Sequence, residues 1–187
     1  MKTRESGMPD RTMWEKFFDP TKILTTLGMD NHTVDVAEFG CGYGTFTIPA
    51  AKIIKGAIHA LDIEQDMVKV TGEEAIRQNL NNIKAILRDF ISQGSGLPAE
   101  SMDYVMVFNI LHLENPGVLL AEAERILKKG GKIGIIHWNY DLSTPRGPSM
   151  EIRPKPEDCI KWAKDAGFRD PKQYDLKPYH YGIVLIK

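Results

Sequence analysis

Residues 34–62 read VDVAEFGCGYGTFTIPAAKIIKGAIHALD, and this stretch constrains the chain more than any other. A β-branched and acidic strand runs into Glu38-Phe39-Gly40-Cys41-Gly42-Tyr43-Gly44. An apolar helical segment follows, then a second short strand that stops at Asp62. Glycines at alternate positions let the backbone turn tightly and approach a ligand closely. An acid at the tip of the next strand is placed to accept hydrogen bonds from a ribose diol. The layout is that of a site for a nucleoside-bearing cofactor. A glycine turn with no ligand is the alternative. The acid before the turn, the helix after it and Asp62 in its place weigh against that.

The spacing narrows the cofactor. A dinucleotide fold calls for G-x-G-x-x-G, with the third glycine opening a helix under a pyrophosphate. Here the third glycine comes one residue early, the sixth position is Thr45, and Glu38 stands two residues before the first glycine. This disfavours a nicotinamide dinucleotide.

Strands and helices alternate along the rest of the chain. Strands are expected at 34–39, 57–61, 83–87, 103–108, 131–137, 168–175 and 180–186, and helices at 20–28, 46–55, 64–80, 116–129 and 156–166. Strands separated by helices of this length make βαβ units, hence an α/β fold with a mainly parallel sheet and helices on both faces. The turn around Lys177-Pro178 is too short for a parallel crossover, so the last strand should be antiparallel. Pro49 forbids a regular helix starting much before Phe46. Asp19 with Pro20, and Asn115 with Pro116, have the form of an N-cap and first helical residue. Lys128, Lys129 and Gly130 are expected to end the second of these helices. The helix opened by Pro156 should stop at Gly167 and bury Cys159, which marks that cysteine as a core residue.

The 187 residues suit a single domain, 1–187, and a net charge of −1 argues against a nucleic-acid surface. No apolar run approaches a membrane span, and the first residues lack the apolar core of a signal peptide. Two cysteines give no disulfide framework, so a cytoplasmic location is expected. The histidines at 32, 59, 112, 137 and 180 show no metal-ligand spacing, and no metal is expected.

The E-x-G-x-G-x-G form at Glu38, Gly40, Gly42 and Gly44 resembles motif I of the class I S-adenosylmethionine-dependent methyltransferases. The resemblance extends over about residues 10–187, to the small ubiquinone/menaquinone-biosynthesis-like group. It implies a Rossmann-like seven-stranded sheet with an antiparallel last strand. It also implies S-adenosylmethionine as cofactor, S-adenosylhomocysteine as product and a small-molecule methyl acceptor. Glu38, Gly40, Cys41, Gly42, Tyr43 and Gly44 would wrap the methionine part, and Asp62 would bind the ribose. Ile63 and Met67 would pack on adenine, Asp89 would accept from its amino group, and the Phe90 N–H would serve its N1. Asn109 falls near the methionine end.

Several positions stay open at this stage. His112 is a general base or a histidine outside the chemistry. Cys41 is a thiol activated at a helix N-terminus or a small residue beside the cofactor. Trp14 to Pro20 is a cofactor cover or a helix packed on the sheet, within an N-terminal cover over 1–30. The aperiodic segment 138–154 is expected to form a substrate lid, with Arg146 as an acid-binding or a solvated residue. Methyl transfer is the leading expectation; a non-catalytic binder of the same cofactor and, behind it, a NAD-dependent oxidoreductase are the alternatives.

Overall fold

A computed structural model of the chain describes residues 10–187; residues 1–9 of the expected N-terminal cover lie outside the described residues. The elements follow the alternation read from the sequence. They are α1 (Arg11–Glu15), α2 (Pro20–Thr26), β1 (Val36–Phe39), α3 (Thr47–Ile53), β2 (Ile58–Asp62), α4 (Gln65–Arg77) and β3 (Ile83–Leu87). Then come α5 (Phe90–Gln93), β4 (Met102–Phe108), α6 (Pro116–Ile126), β5 (Leu127–Trp138), α7 (Pro156–Asp165), β6 (Arg169–Leu176) and β7 (His180–Ile186). Among the described residues, seven strands form one sheet in the order β3-β2-β1-β4-β5-β7-β6. β7 runs antiparallel to both β5 and β6, and the other pairs are parallel. The sheet is therefore the Rossmann-like one expected, with its last strand inserted antiparallel.

The alternation of side chains along each strand divides the core in two. Phe39, Val105, Val107, Ile133 and Ile135 face Leu119, Leu120 and Ala123 of α6 and Cys159 and Ala163 of α7. Tyr104, Met106, Phe108 and Ile136 face Ile23 and Leu24 of α2 and Phe46 and Ala50 by α3. Helices thus cover both faces, and Cys159 is a core residue as expected.

Side-chain caps start α1, α2 and α5, whereas α3, α4 and α6 have none. The Asp19 side chain accepts from Lys22 N at 3.2 Å with Pro20 at the first helical position. Phe46 is the N-cap of α3, so Pro49 falls in the first turn, where its missing N–H has no carbonyl to serve. Two expectations need correction. Asn115 occupies the N-cap of α6, but its side chain makes no capping bond. The helix expected over 116–129 stops at Ile126, and Leu127, Lys128 and Lys129 open β5. The cause is tertiary. The amides of Glu100 and Ser101 take the Arg125 and Ile126 carbonyls, Leu127 enters the core, and Lys128 Nζ reaches Asp103 at 2.9 Å. The short α1 lies within the N-terminal cover expected over 1–30, and α5 was not expected.

Gly134 of β5 shows how tightly the sheet packs on α2. A Cβ there would lie 2.1 Å from the Tyr104 hydroxyl, which donates to the Leu27 carbonyl at 3.0 Å in a buried site. Gly134→Ala should therefore lower unfolding free energy by about 1–3 kcal/mol in urea titration. Tyr104→Phe removes the nearest obstacle, so the double variant should recover part of that loss. Strict additivity of the two losses would refute the packing explanation.

Candidate functional site

In an open α/β sheet, ligands bind outside the carboxyl ends of the strands where the strand order reverses. Here the reversal lies between β1 and β4, which are paired through Phe39 and Val107. The ends of β2 and β3 adjoin on one side, with Asp62 opposite Leu87, and β5 on the other, with Ile136 opposite Phe108.

The glycine turn starts at the end of β1. Gly40, Gly42 and Gly44 have φ of 78°, 53° and 75°, a region that L side chains enter only with strain. The amides of Gly40 and Cys41 both donate to the Leu61 carbonyl, at 2.8 and 3.0 Å. Gly42 N donates to Asp62 Oδ2 at 2.8 Å, and Glu64 N to Asp62 Oδ1 at 3.0 Å. Asp62 thus clamps the turn to the end of β2 while each oxygen keeps a second lone pair. Burial is the main reason its carboxyl is harder to ionise than usual, and the two amide bonds oppose this. The buried Thr71 of α4 donates to the Gly42 carbonyl at 2.9 Å and holds the turn from the other side.

Glu38 lies behind the turn at 2% exposure, and the buried Thr47 hydroxyl donates to its Oε2 at 2.5 Å. Burial pushes its pKa up to about 8, partly offset by the Thr47 bond and reinforced by the nearby Asp62 charge. The Cys41 thiol is buried too, and burial with the Glu38 and Asp62 charges drives it well above the ordinary thiol range. Burial thus weighs against the activated-thiol option for Cys41, which stands well ahead of the α3 N-cap at Phe46.

The other expected residues divide. Ile63 is exposed and Met67 half-buried at the start of α4, next to Asp62. Asp89 caps α5, accepting from Ser92 N at 3.1 Å. The Phe90 ring is in the core against Phe39, at 5.1 Å between centroids, so only its backbone is placed for a ligand. Asn109 follows β4 with φ of 56°, and neither its amide nitrogen nor its amide oxygen has a partner although both atoms are buried. It adjoins Ile110, whose Cδ1 lies where a Cβ on Gly40 would point, 3.2 Å away. A buried, unsatisfied amide in a left-handed conformation beside a glycine turn is a feature that calls for a ligand.

His112 is half-buried, with Nδ1 3.3 Å from Nε2 of His137 at the end of β5. His137 is fully buried, and burial holds it well below the ordinary histidine range. His180, at the start of β7, is likewise held down at about 3 by burial. No group of three or more His, Cys, Asp or Glu among the described residues is arranged to hold a metal ion.

An aromatic cover lies over this end of the sheet. Phe17 meets Trp138 at 5.2 Å and Tyr179 at 6.0 Å, and Phe18 meets Phe46 at 5.1 Å and His180 at 4.5 Å. The segment 14–20 thus packs on the sheet through Phe17 and Phe18. A cavity of about 280 Å³ opens between it and the turn, lined by Arg11, Thr21, Tyr43, Gly44, Thr45 and Glu74 among others; of the expected cofactor residues only Tyr43 and Gly44 reach it.

The loop after β5 has an organiser that the sequence did not reveal. Arg153, 8% exposed, donates to the carbonyls of Asn139, Asp141, Arg146 and Pro148 and to the Thr144 hydroxyl. Arg146, the arginine singled out beforehand, is exposed and touches Met13 Sδ at 3.4 Å. Arg153 sits in no motif, and only its loop's position pointed near it. Thr71 and His137 were missed for the same reason: their partners lie 29 and 25 residues away.

Comparison with known proteins follows the same outline. Residues 36–131 match the model of a methyltransferase domain. Nocamycin O-methyltransferase of Saccharothrix syringae is 31% identical over 71% of the chain, which spans 48% of that enzyme's length. An uncharacterized protein of Methanocaldococcus jannaschii is 30% identical over 86% of the chain and 72% of its own length. In fold, a SAM-dependent methyltransferase from Aquifex aeolicus superposes with a TM-score of 0.83, at 24% identity over 95% of this chain and 93% of that one.

Two outcomes test this geometry. Glu38 has a higher pKa folded than unfolded, so its contribution favours the native state most below about 4.5 and fades as pH rises through about 8. The unliganded protein should lose stability across that window by at most about 1.4 kcal/mol per pH unit from this group. Glu38→Gln should flatten the slope of urea midpoint against pH; an unchanged slope would mean that Glu38 is ionised in the fold. For the loop, Arg153→Lys should speed tryptic cleavage after Arg146 severalfold, because a lysine cannot hold five acceptors in a fork. Equal cleavage rates would show that the loop stands without the guanidinium.

Proposed function

The chain belongs to the class I S-adenosylmethionine-dependent methyltransferase family, and from that premise we propose that it transfers a methyl group from S-adenosylmethionine to a small-molecule acceptor. The observation that carries the reading is Asn109, a buried amide with no partner, standing beside the glycine turn at the reversal of strand order. The residues fit such a cofactor. Asp62 has lone pairs to spare for a ribose diol, Ile63 and Met67 offer apolar surface beside it, and Asp89 stands at the end of β3. Asn109 has a donor and an acceptor for the amino-acid end. Gly40 to Gly44 leave the backbone bare, with Glu38 and Thr47 behind it.

When bound, the cofactor supplies a methyl group already activated by a sulfonium charge. The protein's task is alignment of the acceptor in line with that carbon, exclusion of water and, where the acceptor carries a proton, its removal. The segment 14–20 and the loop 138–154 flank the ends of β5 and β7, and we assign them to the cover of the acceptor within a single domain. No helix among the described residues is long and apolar enough to cross a membrane. Two free, buried cysteines suit a reducing compartment, which supports a cytoplasmic location.

Calorimetric titration should give binding of S-adenosylmethionine and S-adenosylhomocysteine and none of NAD. Asp62→Ala should weaken binding by about 1–3 kcal/mol through lost hydrogen bonds to a carboxylate. Asp62→Asn, which still accepts, should lose less. NAD binding, or an unchanged constant for a folded Asp62→Ala, would overturn the assignment. A screen of hydroxyl, amine, thiol and carbon acceptors with methyl-labelled cofactor then identifies the substrate.

A further inference from the structure

Helix α1 is too short to stand by itself and buries none of its five residues, so its place depends on what it touches. Asp10 caps it by accepting from Met13 N at 3.2 Å, and Arg11 Nε meets Glu15 Oε1 at 2.6 Å. Beyond these local bonds it reaches two distant elements. Arg11 Nη2 lies 3.6 Å from Glu74 Oε2 of α4, and Arg146 Nη1 of the loop after β5 donates to Met13 Sδ at 3.4 Å. α1 thus spans from the helix that props the glycine turn to the loop beyond β5.

Glu74 is the unusual partner. Its side chain is 8% exposed, and a carboxylate so covered is rarely left without cations. Arg77 donates to both of its oxygens and Gln78 to Oε1. Arg77 is 68% exposed and lies one turn along the same helix, so that pair is local to α4. Arg11 is the cation that arrives from elsewhere in the chain. The place of Glu74 on α4 has meaning as well. Met67, Thr71, Glu74 and Gln78 recur at helical spacing and share one face. Along that face lie Met67 near Asp62, Thr71 donating to the Gly42 carbonyl at 2.9 Å, and Glu74 against the cover.

C-terminal to α1 the chain is fixed. Phe17 packs on Trp138 and Tyr179, Phe18 on Phe46 and His180, and α2 buries Ile23 and Leu24. The segment free to move therefore ends near Lys16. Arg11 and Glu15 line one side of the 280 Å³ cavity, and Tyr43, Gly44, Glu74 and Gln78 line the other. We infer that Glu74 is a positioning residue for the cover: the Arg11–Glu74 pair is the latch that holds α1 across this cavity, and its release is the step that admits and frees the ligand of the glycine turn.

Resting on the methyl-transfer reading, the latch sets how long the cofactor and its demethylated product stay bound, not how fast the methyl group moves. Neither Arg11 nor Glu74 is among the residues assigned to the cofactor, so their loss acts through α1. The Arg11 side chain is 41% exposed, and an ion pair with one such member contributes modestly. The cover is therefore held closed by a contact that thermal motion breaks readily, while Phe17 and Phe18 keep it attached.

Rapid-mixing hydrogen exchange on the unliganded protein tests the latch without any cofactor. The amides of Trp14, Lys16 and Phe17, which donate to Asp10, Met13 and Trp14 carbonyls, report the opening of α1. Glu74→Gln and Arg11→Met should each raise their exchange about two- to fivefold, the range for a partly exposed ion pair. The double variant should exchange no faster than Arg11→Met, and the amides of Ile23 and Leu27 at α2 should not change. Glu15→Gln, which breaks the pair inside α1, should have the smaller effect. A Glu15 variant that opens α1 while the Glu74 variant does not, or additive effects in the double variant, would overturn the latch. Dissociation of S-adenosylhomocysteine, followed by stopped flow, should speed up severalfold in Arg11→Met and Glu74→Gln alike. An unchanged release rate beside faster exchange would overturn the gate, because α1 would then move without covering the ligand. Absence of S-adenosylhomocysteine binding by the wild type would instead sink the functional reading, and leaves the exchange test of the latch in force.

Discussion

Two carboxyl groups buried near each other at the end of the central strands set the terms for the rest of the site. Glu38 and Asp62 lie at 2% and 5% exposure, and each suffers the desolvation that disfavours a charge. The fold answers differently in the two places. Asp62 receives two backbone amides, Gly42 and Glu64, so its charge is supported and the glycine turn is drawn onto β2. Glu38 receives one hydroxyl, Thr47, and remains a weak acid pushed up to about 8. The turn geometry follows from this pair. The chain leaves β1 above one carboxyl and must bend back to reach the other, which it does through three left-handed glycines.

A guanidinium does for the loop after β5 what the two carboxyls do for the turn. Arg153 collects four carbonyls and a hydroxyl from residues 139–148, a set that water would otherwise serve. Its own pKa is lowered by burial, which outweighs the pull of Asp141. The cation faces a neighbourhood in which His137 and His180 are both held neutral. The segment 138–154 is thus gathered around one interior cation, which its aperiodic sequence does not single out.

What the sequence disclosed and what it hid separate along a physical line. The seven strands and five of the helices follow from hydrophobic period and cap residues, which act within a turn or a strand length. The glycine turn, Asp62 and the start of α2 are local in the same sense. The end of α6 was missed because Leu127 leaves the helix for a place in the core and the Lys128–Asp103 pair, contacts with β4 and not with its own neighbours. The isolated unsatisfied amide of Asn109, the Thr71 prop and the fork of Arg153 are contacts across loops, and no spacing rule encodes them. Cys41 had a helix start in its sequence surroundings, but burial weighs against an activated thiol there.

The two halves of the sheet end in different residues. The β3-β2-β1 half ends in the glycine turn, Asp62 and Asp89. The β5-β7 half ends differently on its two faces because side chains alternate. On one face Trp138 and His180, 4.2 Å apart, close against Phe17 and Phe18 of the cover. On the other, His137 and Tyr181 stack behind His112. A one-residue slip of β5 would exchange these roles, moving His137 into the aromatic cover and Trp138 against α7. The continuous register from Lys132–Ile186 to Trp138–His180 prevents that slip. The β5–β7 ladder is therefore what keeps an imidazole behind His112 and an indole over the cover.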